Sequence, residues 1–388
     1  MQNFTHHNPT QLIFGKKTIP RIGRVLRLAG VKKPLLVAGG GAIRENGVHA
    51  TVVESLRKNG FSWSEYWGTP SNPTVGCVRE IVKLGREART DALLAVGGGS
   101  VIDASKAAAA GAFVDEVWSY VANRKDVLRA LPVFVVLTLS GSGSELNDSA
   151  ILTHKIERKK WGLRGPALFP RVAIVDPRAQ FSAPWRLTAL GAVDALAHVL
   201  EHYCSGLSSP TPFSPGLALC ETLMRAVVDS AAQLQRNGRD YLARAGLAWA
   251  SSLGQSGLAS AGLGGGDWAL HCLAHAIGGA FPEIGHAEAV SALFPAWLGR
   301  IADVRPDIAE RFASATFADR ANGDIREKMT GLLGSWSTPT RLEHLGLGAR
   351  DLDAIAANLA AFSEHHGAPG RILPLDREES LRILHSAA

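Results

Sequence analysis

The feature that most constrains this chain is a set of short apolar runs, PLLVAGGG (34–41), DALLAVGGGS (91–100), PVFVVLTLSGSGS (132–144) and RVAIVDP (171–177). Each is built from Val, Leu, Ile, Ala or Phe and closed by glycine, serine or proline. Near-continuous apolar runs of this length suit strands of a parallel sheet that is covered on both faces. The stretches between them, GVHATVVESLRKNG and NPTVGCVREIVKLGREART, repeat apolar residues with the period of a helix. Strands alternating with helices predict a doubly wound α/β sheet domain. The opening TQLIFGKK adds an edge strand to it.

After Asp176-Pro177 the character changes. From Trp185 onward alanine and leucine dominate, and strand-like runs give way to helical periodicity punctuated by SGLSSPTPFSPG and LGGGDW. Pro184, just before the first long helix, sets the expected division: an α/β domain over 1–184 and an all-helical domain over 185–388. Hydrophobic residues at 46% and charged residues at 20% suit a soluble globular chain. A net charge of +6, without an arginine-rich run interleaved with aromatics, disfavours nucleic acid as partner. The densest basic stretch, HKIERKKWGLR (154–164), reads as a solvated hairpin. No segment has eighteen consecutive apolar residues and the N-terminus lacks a signal-like stretch, so the expectation is a cytoplasmic enzyme without membrane contact. Cys77, Cys204, Cys220 and Cys272 are scattered, which argues against a disulfide framework or a thiolate zinc site.

Gly97-Gly98-Gly99-Ser100 follows one predicted strand and opens a helix. Glycines admit a ligand close to the backbone, and a helix N-terminus offers unpaired N–H groups to a phosphate. Gly39-Gly40-Gly41 ends a second strand and Ser140-Gly141-Ser142-Gly143-Ser144 a third. Turns at neighbouring carboxyl ends of strands line one crevice, where nucleotides bind in open sheets. None matches the GxGxxG fingerprint.

Asp194 and His198 are four residues apart, as are His271 and His275, and His286 follows. Positions i and i+4 share a helix face, so each pair can aim two side chains at one point. A carboxylate with several imidazoles is ligand chemistry for Zn²⁺ or Fe²⁺. Spacing alone does not choose among these residues and His202. His202 sits about 12 Å along the helix from Asp194 and reads as an outer or solvent residue. Asp194 has a second possible role, orienting a histidine.

GGGSVIDASK, SGSGSELN, VDALAHVLEHY and DWALHCLAHAIGG…GHAEAV together resemble the signatures of the iron-containing (group III) alcohol dehydrogenases. The opening FTHHNPTQLIFGKKTI and the HAE turn resemble the butanol dehydrogenase and NADPH-dependent aldehyde reductase branch. The resemblance implies a nucleotide-binding α/β domain, a helical metal domain, a site between them, and a homodimer. It implies one divalent metal, Fe²⁺ or Zn²⁺, on Asp194, His198, His271 and His286. His275 matches a histidine beside the site and is the candidate proton relay. Gly97, Gly98, Gly99, Ser100 and Asp103 match the diphosphate turn, and Thr138, Ser142, Asn147 and Lys160 match coenzyme-contacting positions.

The implied reaction is reversible hydride transfer between a nicotinamide and a small aldehyde or alcohol. Gly39, Gly40 and Gly41 carry no carboxylate to repel a 2′-phosphate and Arg44 lies nearby, so NADP(H) is expected over NAD(H). Three alternatives remain in view: a maleylacetate reductase-like enzyme, a dehydroquinate synthase-like lyase, and a non-catalytic nucleotide-binding relative. The first dispenses with metal. The second needs a Lys and Arg cluster that VDALAHVLEHY and WALHCLAHAIGG lack. The third is expected to lose a ligand or the GGGS turn. SGLSSPTPFSPG and the tip near Pro282 are expected to border the substrate pocket.

Overall fold

The computed structural model describes residues 2–207, 214–317 and 323–388. The middle of SGLSSPTPFSPG, expected to border the pocket, therefore lies outside the described residues. The first half contains β1 (Gln11–Phe14), β2 (Pro34–Ala38), β3 (Ser64–Tyr66), β4 (Ala92–Gly97), β5 (Val133–Leu137), β6 (Ser149–His154), β7 (Lys159–Arg164) and β8 (Val172–Val175). Among the described residues, six of these form one parallel sheet in the order β1-β8-β5-β4-β2-β3, while β6 and β7 pair antiparallel. The helices of this half are α1 (Ile22–Leu28), α2 (Ala42–Glu45), α3 (Val48–Lys58), α4 (Val75–Ala88), α5 (Gly99–Gly111) and α6 (Trp118–Ala122).

Burial on both faces explains the unbroken apolar runs. Leu35, Val37, Leu93 and Ala95 pack with α4 and α5 on one face. Their neighbours Leu36, Ala38, Leu94 and Val96 pack with α1 and α3 on the other. Successive strand residues point to opposite faces, so a strand with helices on both sides has no polar position. The register pairs Ala38 with Val96 and Gly97 with Leu137, which brings the three glycine-rich turns side by side.

The second half is helical: α7 (Trp185–Leu207), α8 (Pro215–Arg236), α9 (Tyr241–Gln255), α10 (Ala269–Ala280), α11 (His286–Val304), α12 (Pro306–Thr316), α13 (Ile325–Ser335), α14 (Leu352–His366) and α15 (Arg377–Ala387). Start signals are local. The side chains of Asp240, Asp324 and Asp376 accept from backbone N–H groups of α9, α13 and α15, and proline opens α8 and α12. One apolar cluster joins these helices, with Trp297, Phe294 and Phe312 fully buried. No helix among the described residues is long and apolar enough to cross a membrane.

Two expectations need correction. HKIERKKWGLR does form a hairpin, yet it is only partly solvated: Lys160, Trp161 and Leu163 are buried, while the tip, residues 155–158, and Arg164 are exposed. The reason is that one face of β7 packs against α10 while β6 packs against α5. The edge strand β3, SEY, was not anticipated; three half-exposed residues give no periodicity to read.

The two halves meet where backbone touches backbone. A Cβ on Gly191 of α7 would lie 2.2 Å from the Ser140 carbonyl oxygen. Ser251 Oγ of α9 accepts from Gly141 N at 3.0 Å and donates to Gly141 O at 2.8 Å. Gly191→Ala is therefore expected to cost about 1–3 kcal/mol in denaturant unfolding. Gly331→Ala, where a Cβ meets nothing within 4 Å, should be neutral or stabilising by up to about 1 kcal/mol. Equal effects of the two substitutions would contradict this account of the junction.

Candidate metal centre and coenzyme cleft

The glycines of the cleft are required for different reasons. A Cβ at Gly97 would lie 2.5 Å from Val101 Cγ2, and one at Gly99 2.2 Å from Ser142 Oγ, so the protein itself leaves no room there. At Gly40 nothing lies within 4 Å, and the space beside it is free for a ligand. Gly98 caps α5, so the first turn of that helix points its N–H groups into the crevice. Ser100 Oγ is turned away and donates to the Ser71 carbonyl.

Several expected coenzyme contacts also build the turn. Asp103 accepts from Ser144 Oγ at 2.6 Å and from Ile151 N at 3.0 Å, fastening α5 to the SGSGS turn and β6. Asn147 Oδ1 accepts from Lys106 Nζ at 2.7 Å, and the same buried ammonium also reaches carbonyls of Ser144, Asn147 and Ser149. Burial pulls the Lys106 pKa down to about 8 despite the carboxylates around it. Thr138 N donates to Gly97 O at 3.0 Å, and Ser142 Oγ accepts from Ser144 N at 3.3 Å. Arg44 is exposed, and its guanidinium lies 3.7 Å from the ring centroid of Trp67. Lys160 is buried and donates to Asn72 at 2.8 Å; burial lowers its pKa to about 8.

Three helices deliver the expected metal ligands. Asp194 and His198 lie on α7, His271 and His275 on α10, and His286 opens α11. Asp194 Oδ1 is 3.9 Å from His198 Nδ1, 3.6 Å from His271 Nε2 and 3.6 Å from His286 Nε2. Ligand atoms around a tetrahedral cation at about 2.0–2.1 Å stand roughly 3.3–3.4 Å apart, so each approach to Asp194 is close to that spacing. Asp194, His198 and His271 form the tightest group, their ligand atoms all within 4.8 Å of one another, and His286 closes on it from the Asp194 side. Asp194 Oδ1, His198 Nδ1 and His271 Nε2 are buried without a hydrogen-bond partner. Convergent lone pairs with nothing to accept from are what a divalent cation satisfies, and the donor set fits Zn²⁺ or Fe²⁺. His275 stands beside this group, its ring 4.9 Å from that of His286.

Charge follows the geometry. Burial, with the His271 charge, lowers His198 to about 3, and burial with nearby Lys160 keeps His275 and His286 well below the usual imidazole range. These rings carry free lone pairs at neutral pH. Burial alone raises the Asp194 carboxyl, but His198 and His271 outweigh it and hold the carboxyl below its usual range. His271 moves the other way: against the effect of burial, Glu201 and Asp194 raise it to about 9.

Glu201 is the residue that the sequence reading missed. It is fully buried one turn beyond His198, accepts a hydrogen bond from His271 Nδ1–H, and accepts from Leu270 N at 2.8 Å. The orienting role considered for Asp194 thus falls to Glu201, which turns His271 Nε2 toward the cluster. Its signal was a carboxylate inside the apolar stripe VLEHY. His202 needs correction as well: it is buried against Trp268, with ring centroids 5.0 Å apart, and is not a solvent residue. Trp268 itself sits at a left-handed φ of 62°, reached through Gly264, Gly265 and Gly266, all at positive φ.

Known proteins resemble this chain over its whole length. The model of the iron-containing alcohol dehydrogenases matches residues 9–177, and that of the family's C-terminal part matches 188–388. The probable NADH-dependent butanol dehydrogenase 1 of Bacillus subtilis is 35% identical, with 100% of both chains covered. The NADPH-dependent aldehyde reductase YqhD of Escherichia coli is 29% identical, over 95% of this chain and 94% of its own. The crystal structure of NADH-dependent butanol dehydrogenase A from Thermotoga maritima superposes with a TM-score of 0.95 at 36% identity, covering 100% of this chain and 99% of that one. The chain belongs to the iron-containing alcohol dehydrogenase family and is an oxidoreductase of alcohols and aldehydes.

Proposed function

We propose that this enzyme transfers hydride reversibly between NADP(H) and a small aldehyde or alcohol, with one divalent cation, Fe²⁺ or Zn²⁺, held by Asp194, His198, His271 and His286. The observation that carries this reading is the approach of three imidazole nitrogens to within 3.6–3.9 Å of the buried, unpartnered Asp194 Oδ1. We read residues 1–184 as the coenzyme domain and 185–388 as the metal domain, with the reaction between them.

When bound, the cation supplies Lewis acidity toward the carbonyl oxygen. Everything else is the work of the chain. Gly97, Gly98, Gly99 and Ser100 receive the diphosphate at the α5 N-terminus, while Asp103 and Asn147 keep the adjoining SGSGS turn in shape. Hydride delivered to the carbonyl carbon leaves the product short of one proton, which the neutral His275 passes in from solvent. Glu201 accepts a hydrogen bond from His271 Nδ1–H, so that Nε2 is the ring nitrogen turned to the centre. Nε2 would give up the proton that the raised pKa keeps on the ring before it serves as a ligand.

The coenzyme preference rests on the end of β2. Gly39, Gly40 and Gly41 offer no carboxylate to a ribose hydroxyl, and Glu65 on the neighbouring β3 has both oxygens engaged by Trp63, Trp67 and His49. Arg44, stacked on Trp67, is left to meet a 2′-phosphate. The similar relatives lean the other way: the butanol dehydrogenases are named for NADH, and the aldehyde reductase YqhD for NADPH.

Asp194→Ala and His271→Ala are expected to abolish both metal content and turnover while leaving the sheet half folded; retained activity in metal-analysed protein would sink the ligand assignment. For Glu201→Gln we expect metal affinity, measured by chelator competition, to fall about 10–100-fold, and an unchanged value would reduce Glu201 to a packing residue. Arg44→Ala should lower kcat/KM for NADPH roughly tenfold or more and leave the NADH value alone. A wild-type preference for NADH would refute the coenzyme assignment outright.

A further inference from the structure

Asn72 lies in the loop TPSNPT between β3 and α4, outside every motif that marks the site, yet it is only 5% exposed. Its Nδ2 donates to the carbonyls of Pro282 at 2.9 Å and Ile284 at 2.8 Å. Its Oδ1 accepts from Lys160 Nζ at 2.8 Å. The partners fix the orientation of the amide: reversed, it would set oxygen against two carbonyls and NH₂ against an ammonium. All three of these polar partners are therefore specific to an asparagine side chain.

The positions of these partners give the contact its meaning. Pro282 and Ile284 form the turn between α10 and α11, and His286 opens α11 two residues after Ile284. On the other side, the carbonyl of the adjacent Ser71 accepts from Ser100 Oγ in the GGGS turn. One loop of the sheet half thus touches both the coenzyme turn and the segment that carries His286. Gly285, which precedes that histidine, adds no side chain to anchor the turn; Glu288 closes on its N–H at 3.0 Å but belongs to α11 itself.

We propose that Asn72 is a positioning residue for the metal centre: by clamping the carbonyls of Pro282 and Ile284 it sets where His286 enters the ligand cluster. This rests on His286 being a ligand. A ligand held from only one side samples positions away from the cation, and residues that orient ligands are worth about 10–100-fold in metal affinity.

Asn72→Asp is the discriminating variant. It is isosteric and keeps an acceptor for Lys160, but it loses both donors to the turn. In full-length, metal-stripped protein, Zn²⁺ affinity by chelator competition is expected to fall about 10–100-fold. The ligand-field spectrum of the Co²⁺-loaded variant should move toward that of His286→Ala. If Asn72 acts through His286, the double variant should bind Zn²⁺ no more weakly than His286→Ala alone. Wild-type affinity in Asn72→Asp, or losses that add in the double variant, would overturn the proposal. Asn72→Ala provides a second route: a loss there without one in Asn72→Asp moves the role to Lys160 and also overturns it. Should His286→Ala itself bind Zn²⁺ normally, the ligand assignment fails first and the clamp fails with it.

Discussion

Asp194 carries a carboxylate oxygen into the interior of the protein, and there it accepts no hydrogen bond. An unpaired buried charge is among the most costly features a fold can hold. What surrounds it are the imidazoles of His198 and His286, which bring lone pairs of their own, and that of His271, whose raised pKa makes it the one ring to offset the charge when no cation is present. The arrangement makes physical sense as a set of electron pairs awaiting a cation. Its geometry in turn dictates much of the helical half. α7, α10 and α11 must each deliver a side chain to one point, and the apolar residues on their other faces then form the shared core.

His271 is the pivot of this centre. Its two ring nitrogens face two different carboxylates, Glu201 on one side and Asp194 on the other. Held from Nδ1 by Glu201, the ring keeps Nε2 turned toward the cluster. Trp268 adds an apolar wall against His198, His202 and His271. Its left-handed backbone costs of order 1–3 kcal/mol, a strain that the preceding run of positive-φ glycines helps the chain to adopt.

The alternation of apolar strand and periodic helix was legible because burial on both faces leaves a strong compositional mark, as in LLVA and ALLAV. The pairs Asp194/His198 and His271/His275 were legible because helical spacing turns sequence separation into a shared face. Glu201 and Asn72 were not. Each acts through a partner about 70 or 210 residues away, and no local pattern encodes such a contact. The burial of the 154–164 hairpin was misjudged because a run of lysine and arginine looks solvated until the elements packed against it are known. Spacing left the choice among His198, His202 and His275 open, since the stripe of one helix offers more candidates than one cation can take, and only the family resemblance proposed a choice.

The two halves of the molecule are joined at separate places: the SGSGS turn on Gly191 and Ser251, Asn72 on the α10–α11 turn, and Arg158 on the Ala280 carbonyl. Ala280, Pro282 and Ile284 lie at one turn, so two of these contacts grip the segment that leads into His286, while the other holds α7 and α9 against the SGSGS turn. The same backbone groups that shape the turns of the sheet half therefore also bridge to the helical half, and a change at any of these contacts is felt on both sides of the junction.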